Sequence, residues 1–383
     1  MKITDYELFE LPPRWLFLKI ETDAGVVGWG EPIVEGRART VRAAVEEVMN
    51  SYLVGKDPHD IEDHWQAMYR GCFYRGGPVL MSAIAGIDQA LWDIKGKSFD
   101  VPVYELLGGQ TRDRIRVYQW IGGDRVTEIG TEAKQLSEAG YTALKMDASN
   151  QMRHLEPPEA VDAVVERVRH VRDVVGTGMD IVVDFRGRIS KSLAKRVIAA
   201  LEEFDLLFVE EPVLPENLEY LPTLAERTNV AMATGERLYS RWDFKPLFER
   251  GGVDVIQPDV SHAGGISELV RIAAMAETHD VAVAPNCPLG PIALAASLQV
   301  STYIPNLLVQ DHGFDIYPAP KSAADHYLHD SSVFEFADGY VTPLDDPGLG
   351  IEIDESAVRE RSQQDLEWSN PIWRHDDGSI AEW

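Results

Sequence analysis

Through its middle section the chain alternates between short runs that are apolar on both faces and longer stretches of helical periodicity. The apolar runs fall at 115–120, 142–146, 180–184, 206–210, 230–234, 253–257, 280–284 (DVAVA, the loosest of them) and 306–310. Continuous apolar character over five or six residues is the mark of parallel strands covered by helices on one side and packed on the other. The intervening stretches fit that cover. Between 159 and 175, Val161, Val164, Val165, Val168 and Val171 follow helical spacing, and 127–139 reads as a helix closed by Gly140. Eight strands with helices between them predict an α/β protein built on a closed β/α barrel from about 113 to 318.

The two ends of the chain have a different texture. Residues 1–112 begin with alternating strands (FLKIETDAGVVGWGE) and continue as helices, one with Ile84, Ile87, Leu91 and Ile94 on a single face. This predicts an α+β domain packed over the barrel mouth. Residues 319–383 are irregular and rich in Pro and Gly, and are expected to return to that domain. From Asn286 to Gln310 no residue is charged, yet Pro288, Pro291 and Pro305 interrupt the stretch, and Gln299, Ser301, Thr302 and Asn306 are polar. Buried protein core accounts for that pattern better than a membrane span.

Composition narrows the possible partners. Of 383 residues 45% are hydrophobic and 26% charged, enough for a large core, but 36 basic residues face 63 acidic ones and the net charge is −27. Such a surface repels nucleic acid and anionic membranes, so neither is an expected partner. The acidic excess is spread along the chain, as in the solvating shells of halophile proteins. Cys72 and Cys287 make neither a disulfide framework nor a CxxC motif. The opening MKITDYELFE places acids where a secretion signal needs an apolar run, and a cytoplasmic location is expected.

In a β/α barrel, chemistry gathers where strands end. The residues at those ends are Lys145 and Asp147, Asp184, Glu210, Glu236, Asp259, Asn286 and Asp311. Asp184, Glu210 and Glu236 are spaced at equal intervals of 26 residues and belong to consecutive strands, so their carboxylates should converge. Three hard oxygen donors without His or Cys suit Mg²⁺. The alternative is that each merely caps a following helix, a role that Glu fills poorly.

The segments VVDF, FVEEPV, TGER and IQPDVSHAGGI, in this order and spacing, resemble the mandelate racemase group of the enolase superfamily. Within that group, LPPRWLFLKIETDAGVVGWGEP, EGRARTV, FYRGGPVLMSAIAGIDQALWDIKGK, CPLGPIALAA and the tail NPIWRH…AEW are similar to the D-galactonate dehydratases, and the likeness spans the whole chain. The resemblance implies an α+β capping domain on a (β/α)7β barrel, Mg²⁺ held by Asp184, Glu210 and Glu236, a homo-oligomer, and an acid-sugar substrate. It implies proton abstraction beside a carboxylate to give an enediolate, loss of the 3-hydroxyl, and a 2-keto-3-deoxy acid as product. Arg14, Trp15, Tyr74, Arg75 and Gly76 match cap positions expected to hold the polyhydroxylated anion. For Trp15 and Trp29, packing within the cap is an equal alternative.

Two positions depart from that pattern. The family's DFH motif, whose His is the general acid, reads Asp184-Phe185-Arg186 here, and the family's His before CPLGP, partner of Asp259 in the base dyad, is Asn286. A guanidinium does not release its proton near neutral pH and an amide does not titrate. Each positioned acid or base contributes roughly 10²–10⁴-fold, so slow turnover of galactonate is implied unless other residues take over. Lys145 matches the first lysine of the family's KxK base pair. Asp147 replaces the second, as a base or as a loop cap. Asp311 stands where the family has Glu, and with His312 beside it could form a titrating pair facing the mouth. His262 in SHAGG reads as structural, and His154 as a solvated loop residue. Three readings stay open: a dehydratase with reassigned proton carriers, an epimerase on a related acid sugar, and a binder or regulator without turnover.

Overall fold

The structure is a computed structural model that describes residues 1–122, 126–313, 326–364 and 368–382. The N-terminal part is a three-stranded antiparallel sheet, β1 (Ile3–Leu11), β2 (Trp15–Thr22) and β3 (Val27–Gly30), followed by α1 (Ala38–Val48), α2 (Ile61–Arg70), α3 (Pro78–Phe99) and α4 (Val103–Leu107). Helix α3 is buried along most of its length, because β3 lies directly against one side. Glycine permits this approach: a Cβ on Gly30 would overlap the Gly86 carbonyl of α3.

The barrel strands are β4 (Ile115–Ile121), β5 (Ala143–Asp147), β6 (Asp180–Asp184), β7 (Phe208–Glu210), β8 (Met232–Thr234), β9 (Val255–Ile256), β10 (Ala282–Val283) and β11 (Gln310–His312). Between them run α5 (Val126–Glu138), α6 (Pro158–Val175), α7 (Lys191–Leu201), α8 (Leu221–Ala225), α9 (Arg241–Arg250), α10 (Gly265–Glu277) and α11 (Pro291–Tyr303). Neighbouring strands are parallel in chain order, and β11 returns to β4. Closure is completed by the residues before β11: Val283 N–H donates to Asn306 O at 2.9 Å and Leu308 N–H to Val283 O at 2.8 Å. The result is the (β/α)7β barrel with an α+β cap that the sequence predicts. Several strands are shorter than expected, β9 and β10 only two residues each, and the run at 306–310 is divided between two neighbours. Its first half pairs with β10, and β11, shifted to 310–312, pairs with β4.

One layer of the barrel interior takes a side chain from each strand: Tyr118, Ala143, Val182, Phe208, Ala233, Val255, Ala284 and Val309 form a single buried cluster. Side chains on a strand alternate with period two, so the next inward layer is set two residues on. It contains Trp120, Lys145, Asp184, Glu210, Gln257, Asn286 and Asp311, and is polar where the layer below is apolar. The uncharged stretch 286–310 forms α11 and the last strand, with every residue from Pro291 to Thr302 buried. Among the described residues no helix is long and apolar enough to cross a membrane. Beyond the barrel, β12 (Tyr340–Val341) pairs antiparallel with β4, and α12 (Glu355–Arg361) reaches the first sheet, where Lys19 Nζ lies 2.9 Å from Glu355 Oε1.

Two buried carboxylates tie the N-terminal part to the barrel. Glu31 accepts the N–H groups of Gly290 (2.8 Å) and Ala293 (3.0 Å) at the start of α11. Asp88 accepts the N–H of Ser267 (3.0 Å) and its hydroxyl (2.6 Å) at the start of α10. Both occupy helix N-termini, where four N–H groups lack partners and the dipole favours negative charge. Burial nevertheless pushes Glu31 up to about 8 and Asp88 up to about 7. The folded state therefore binds these protons more tightly than the unfolded chain does. Their contribution is complete below the ordinary values of 4.5 and 3.8 and is lost as pH rises to and through about 7–8. Urea midpoints measured from about pH 5 to about pH 9 should fall in the wild type, and fall less in a Glu31→Gln/Asp88→Asn variant. Equal slopes for the two proteins would remove these carboxyls from the account.

Candidate active site

A cavity of about 290 Å³ opens at the C-terminal end of the barrel. Its floor is the polar layer (Trp120, Lys145, Asp184, Asn286, Asp311), its wall includes Glu236, Arg237, Tyr239 and His262, and Arg14, Glu35, Pro78 and Asn370 roof it. Lys145 Nζ lies 2.5 Å from Glu210 Oε1 and 3.5 Å from Asp311 Oδ2. Glu210 Oε2 and Asp311 Oδ1 are buried without a hydrogen-bond partner. Burial, and then the neighbouring charge of Asp184, push Glu210 well above the usual carboxylate range against the pull of Lys145. Burial likewise pushes Asp184 up to about 6, countered by Lys145 and Arg186, and raises Glu236 with help from Glu211. Burial disfavours the charged form of Lys145 too, but Asp311 and Glu210 outweigh it and hold the ammonium well above its ordinary range.

Of the carboxylate trio, Asp184 and Glu236 line this pocket and Glu210 lies against Lys145 at its floor, and each member has its own cationic partner. Glu210 faces Lys145, Asp184 Oδ2 is 3.5 Å from Arg186 Nε, and Glu236 Oε1 is 3.8 Å from Arg237 Nε. Among the described residues no group of three or more His, Cys, Asp or Glu side chains stands ready, as placed, to hold a metal ion. The chemistry of the donors still fits a hard cation, since all are carboxylate oxygens and Glu210 keeps one oxygen unpaired.

Arg186 owes its position to a tight turn after β6. Its φ is +50°, Gly187 follows at +70°, and its N–H donates to Asp184 Oδ1 at 2.7 Å. The guanidinium then reaches the cavity, with Nε 3.2 Å from Asp147 Oδ1. Asp147 Oδ2 is also 3.4 Å from Arg188 Nη1. Asp147 therefore joins two arginines and lies outside the cavity lining, so the structure favours the structural role over the base. His312 is corrected more sharply. On a strand whose Asp311 points inward, the next side chain must point outward, and the ring stacks on Phe336 at 4.1 Å, away from the mouth.

The cap residues divide in the same way. Arg14, at the β1–β2 turn, reaches the cavity, donates to Pro288 O at 3.1 Å and lies 3.4 Å from Glu35 Oε1. Trp15 opens β2 with its ring turned into the cap core, 5.6 Å from Tyr327, outside the cavity lining. Tyr74 and Arg75 are exposed, Arg75 stacking over Tyr69 at 5.7 Å, and with Gly76 they stand outside the cavity. Gly76 and Gly77, both with φ near +78°, turn the chain so that Pro78 is the residue presented to the cavity.

Asp259 and Asn286 are brought together as the sequence suggests, with Asn286 Nδ2 donating to Asp259 Oδ2 at 3.3 Å. Sequence reasoning missed Glu35, Arg237, Tyr239 and Asn370. Arg237 follows the strand-end acid directly in TGER, a usable signal. Asn370 belongs to a tail without periodicity, which crosses the mouth where Arg188 lies 4.7 Å from the Trp373 ring and Arg14 5.1 Å from the Trp368 ring.

A cap above an acid-lined barrel mouth is the frame of an enzyme acting on small polar molecules. Two family models make that class specific: residues 13–108 match the N-terminal domain of mandelate racemase / muconate lactonizing enzymes, and residues 128–357 match the enolase C-terminal domain-like family. The chain belongs to the mandelate racemase and muconate lactonizing group of the enolase superfamily. It is 52% identical to a D-galactonate dehydratase of Ralstonia pickettii and 51% identical to one of Pectobacterium atrosepticum, over all 383 residues and the full length of each relative. An enolase of Agrobacterium radiobacter, with Na and L-malate bound, superposes with a TM-score of 0.89 at 32% identity over the whole of both chains. A mandelate racemase/muconate lactonizing enzyme-like protein of Roseovarius sp. TM1035 gives 0.89 at 29% identity, covering 98% of this chain and 99% of its own.

The ion pairs of Asp147 yield a direct test. Asp147→Asn should lower stability by ~1–2 kcal/mol, because two partly buried guanidinium groups lose their shared anion. Any turnover should stay within about tenfold of wild type, whereas loss of a true base costs at least ~100-fold.

Proposed function

We propose that the chain is a Mg²⁺-dependent acid-sugar dehydratase of the D-galactonate type, with residues 1–112 and 319–383 acting as one cap over a barrel at 113–318. The observation that carries this reading is that Asp184 and Glu236 line the cavity with Lys145 and Asp311, while Glu210, from the strand end between them, lies 2.5 Å from Lys145 Nζ. The names of relatives identical at half their positions support the substrate class. We read the protein as a cytoplasmic homo-oligomer, as the sequence likeness implies.

Asp184, Glu210 and Glu236 would hold Mg²⁺, turning away from Lys145, Arg186 and Arg237 to do so. Bound there, the ion supplies Lewis-acid stabilisation of the negative charge that develops on the substrate carboxylate, worth several kcal/mol. The chain's own residues do the rest. Lys145, kept beside Asp311, adds positive charge on the same side. Arg14 and Arg186 present donors to an anionic, hydroxyl-rich ligand, and Arg186 does so where an ordinary acid would otherwise stand. The tail and Glu35 shield the pocket from water. The reaction removes the proton beside the carboxylate and expels the 3-hydroxyl as water, leaving an enol that tautomerises to the 2-keto-3-deoxy acid.

Purified protein incubated with Mg²⁺ and a panel of acid sugars, D-galactonate first, should release 2-keto-3-deoxy acids. Chelation should stop the reaction and added Mg²⁺ restore it. Silence across the panel, together with saturable binding in a thermal-shift assay, would favour a non-catalytic acid-sugar binder. Independently of turnover, Glu236→Gln should weaken Mg²⁺ binding at least ~10-fold in calorimetry, since even outer-shell changes at metal sites have effects of that size.

A further inference from the structure

The proton carrier for this site is unassigned: position 286 is an amide, position 186 a guanidinium, Lys145 is ion-paired with Glu210 and Asp311, and His312 faces away. One imidazole does line the cavity. His262 stands on the turn between β9 and α10, and its Nδ1 lies 3.7 Å from Asp259 Oδ2, the same oxygen that accepts from Asn286. Its other nitrogen, Nε2, is buried without a hydrogen-bond partner and lies 3.7 Å from Glu35 Oε2.

The turn is built to keep the ring there. Asp259 folds it from both ends, its carboxylate accepting Ser261 N–H at 2.7 Å and its carbonyl accepting Ala263 N–H at 2.7 Å. Gly264 and Gly265 continue with φ of +80° and +87°, a backbone that other residues rarely adopt. The cap fastens the turn from above: Trp65 Nε1 donates to Gly264 O at 2.8 Å and Gln89 Nε2 to Ser261 Oγ at 2.9 Å. The turn that carries the ring therefore cannot shift without breaking contacts between cap and barrel.

We propose that His262 is the acid–base residue of this site, paired with Asp259 in place of the imidazole that position 286 lacks. The inference rests on the dehydratase reading above. His262 Nε2 takes the proton beside the substrate carboxylate, and the electron pair of that C–H bond passes into the enediolate. The imidazolium so formed returns its proton to the departing 3-hydroxyl, which leaves as water, so the proton count closes without Arg186. The charged groups facing the ring are Asp259 from the end of β9, Glu35 from the cap and, more weakly, Glu236; Arg14 meets Glu35 on its far side. Burial works against protonation, but these acids, with a smaller contribution from the backbone of Ile33, outweigh it and raise the imidazole above its ordinary 6.5. Asn286 then holds Asp259 in place without competing for the proton.

Three variants decide the matter. The His262 ring, followed by NMR in the intact protein, should titrate above 6.5, and Asp259→Asn should lower that value by about one unit, the effect of losing a near opposite charge. His262→Gln should lose at least ~100-fold in kcat with little change in KM, and His262→Gln/Asn286→His should recover at least ~10-fold by returning an imidazole to Asp259. An imidazole that titrates at its ordinary value and ignores Asp259→Asn overturns the pairing, whether or not product forms. His262→Gln turnover within threefold of wild type overturns the acid–base role. Absence of product in the wild type counts against the dehydratase reading, and the titration still decides the pair; if His262→Gln does not fold, the titration of the wild type likewise decides it.

Discussion

Lys145 and Glu210 meet at 2.5 Å inside the barrel, where neither charge is open to solvent. Taking two such ions out of water costs several kcal/mol each, and their attraction returns that only when every neighbouring charge is also matched. The surrounding layer supplies that match by alternating sign. Asp311 lies on the other side of Lys145, and Arg186 bridges Asp184 and Asp147, which in turn meets Arg188. An apolar layer would hold the barrel together at lower cost, as the Phe208 and Val182 layer beneath it does. Charge retained here at such a cost is what the proposed function calls on, a site that accepts a cation and an anionic ligand.

The same constraint explains the cap. Buried carboxylates from the N-terminal part sit on the starts of α10 and α11, and Trp65 and Gln89 fasten the turn that carries His262. The cap is thus part of the scaffold that orients the barrel's own residues as well as a roof. Cavity-lining residues drawn from it, Arg14 and Glu35, are connected to that scaffold through Pro288 and His262.

Much of this was legible in the sequence, for physical reasons. Apolar runs at near-regular spacing yield the barrel, and period-two alternation carries each interior residue to a strand-end residue, which is why Lys145, Asp184, Glu210, Asn286 and Asp311 were found. Alternation also decides what could not be read without the strand's exact register: the last strand slips to 310–312, and His312 turns outward. Loops carry no such rule. Tyr74, Arg75 and Gly76 match a pattern in sequence, yet two consecutive glycines in the left-handed region redirect the chain. Trp15 and Arg14 are adjacent, and only the β1–β2 turn sends one to the cavity and the other to the core. His262 looked structural because its value lies in its distance to Asp259, set by a turn whose shape the cap imposes.

The central claim is that Asp184, Glu210 and Glu236 form the binding site of a divalent cation in an acid-sugar enzyme. Manganese scatters anomalously and replaces magnesium among hard oxygen ligands. Crystals soaked with Mn²⁺ and an acid sugar should show one anomalous peak bounded by oxygens of these three residues, with Lys145 moved off Glu210. Crystals that bind the sugar with no peak at the trio, and with Lys145 still against Glu210, would contradict the account.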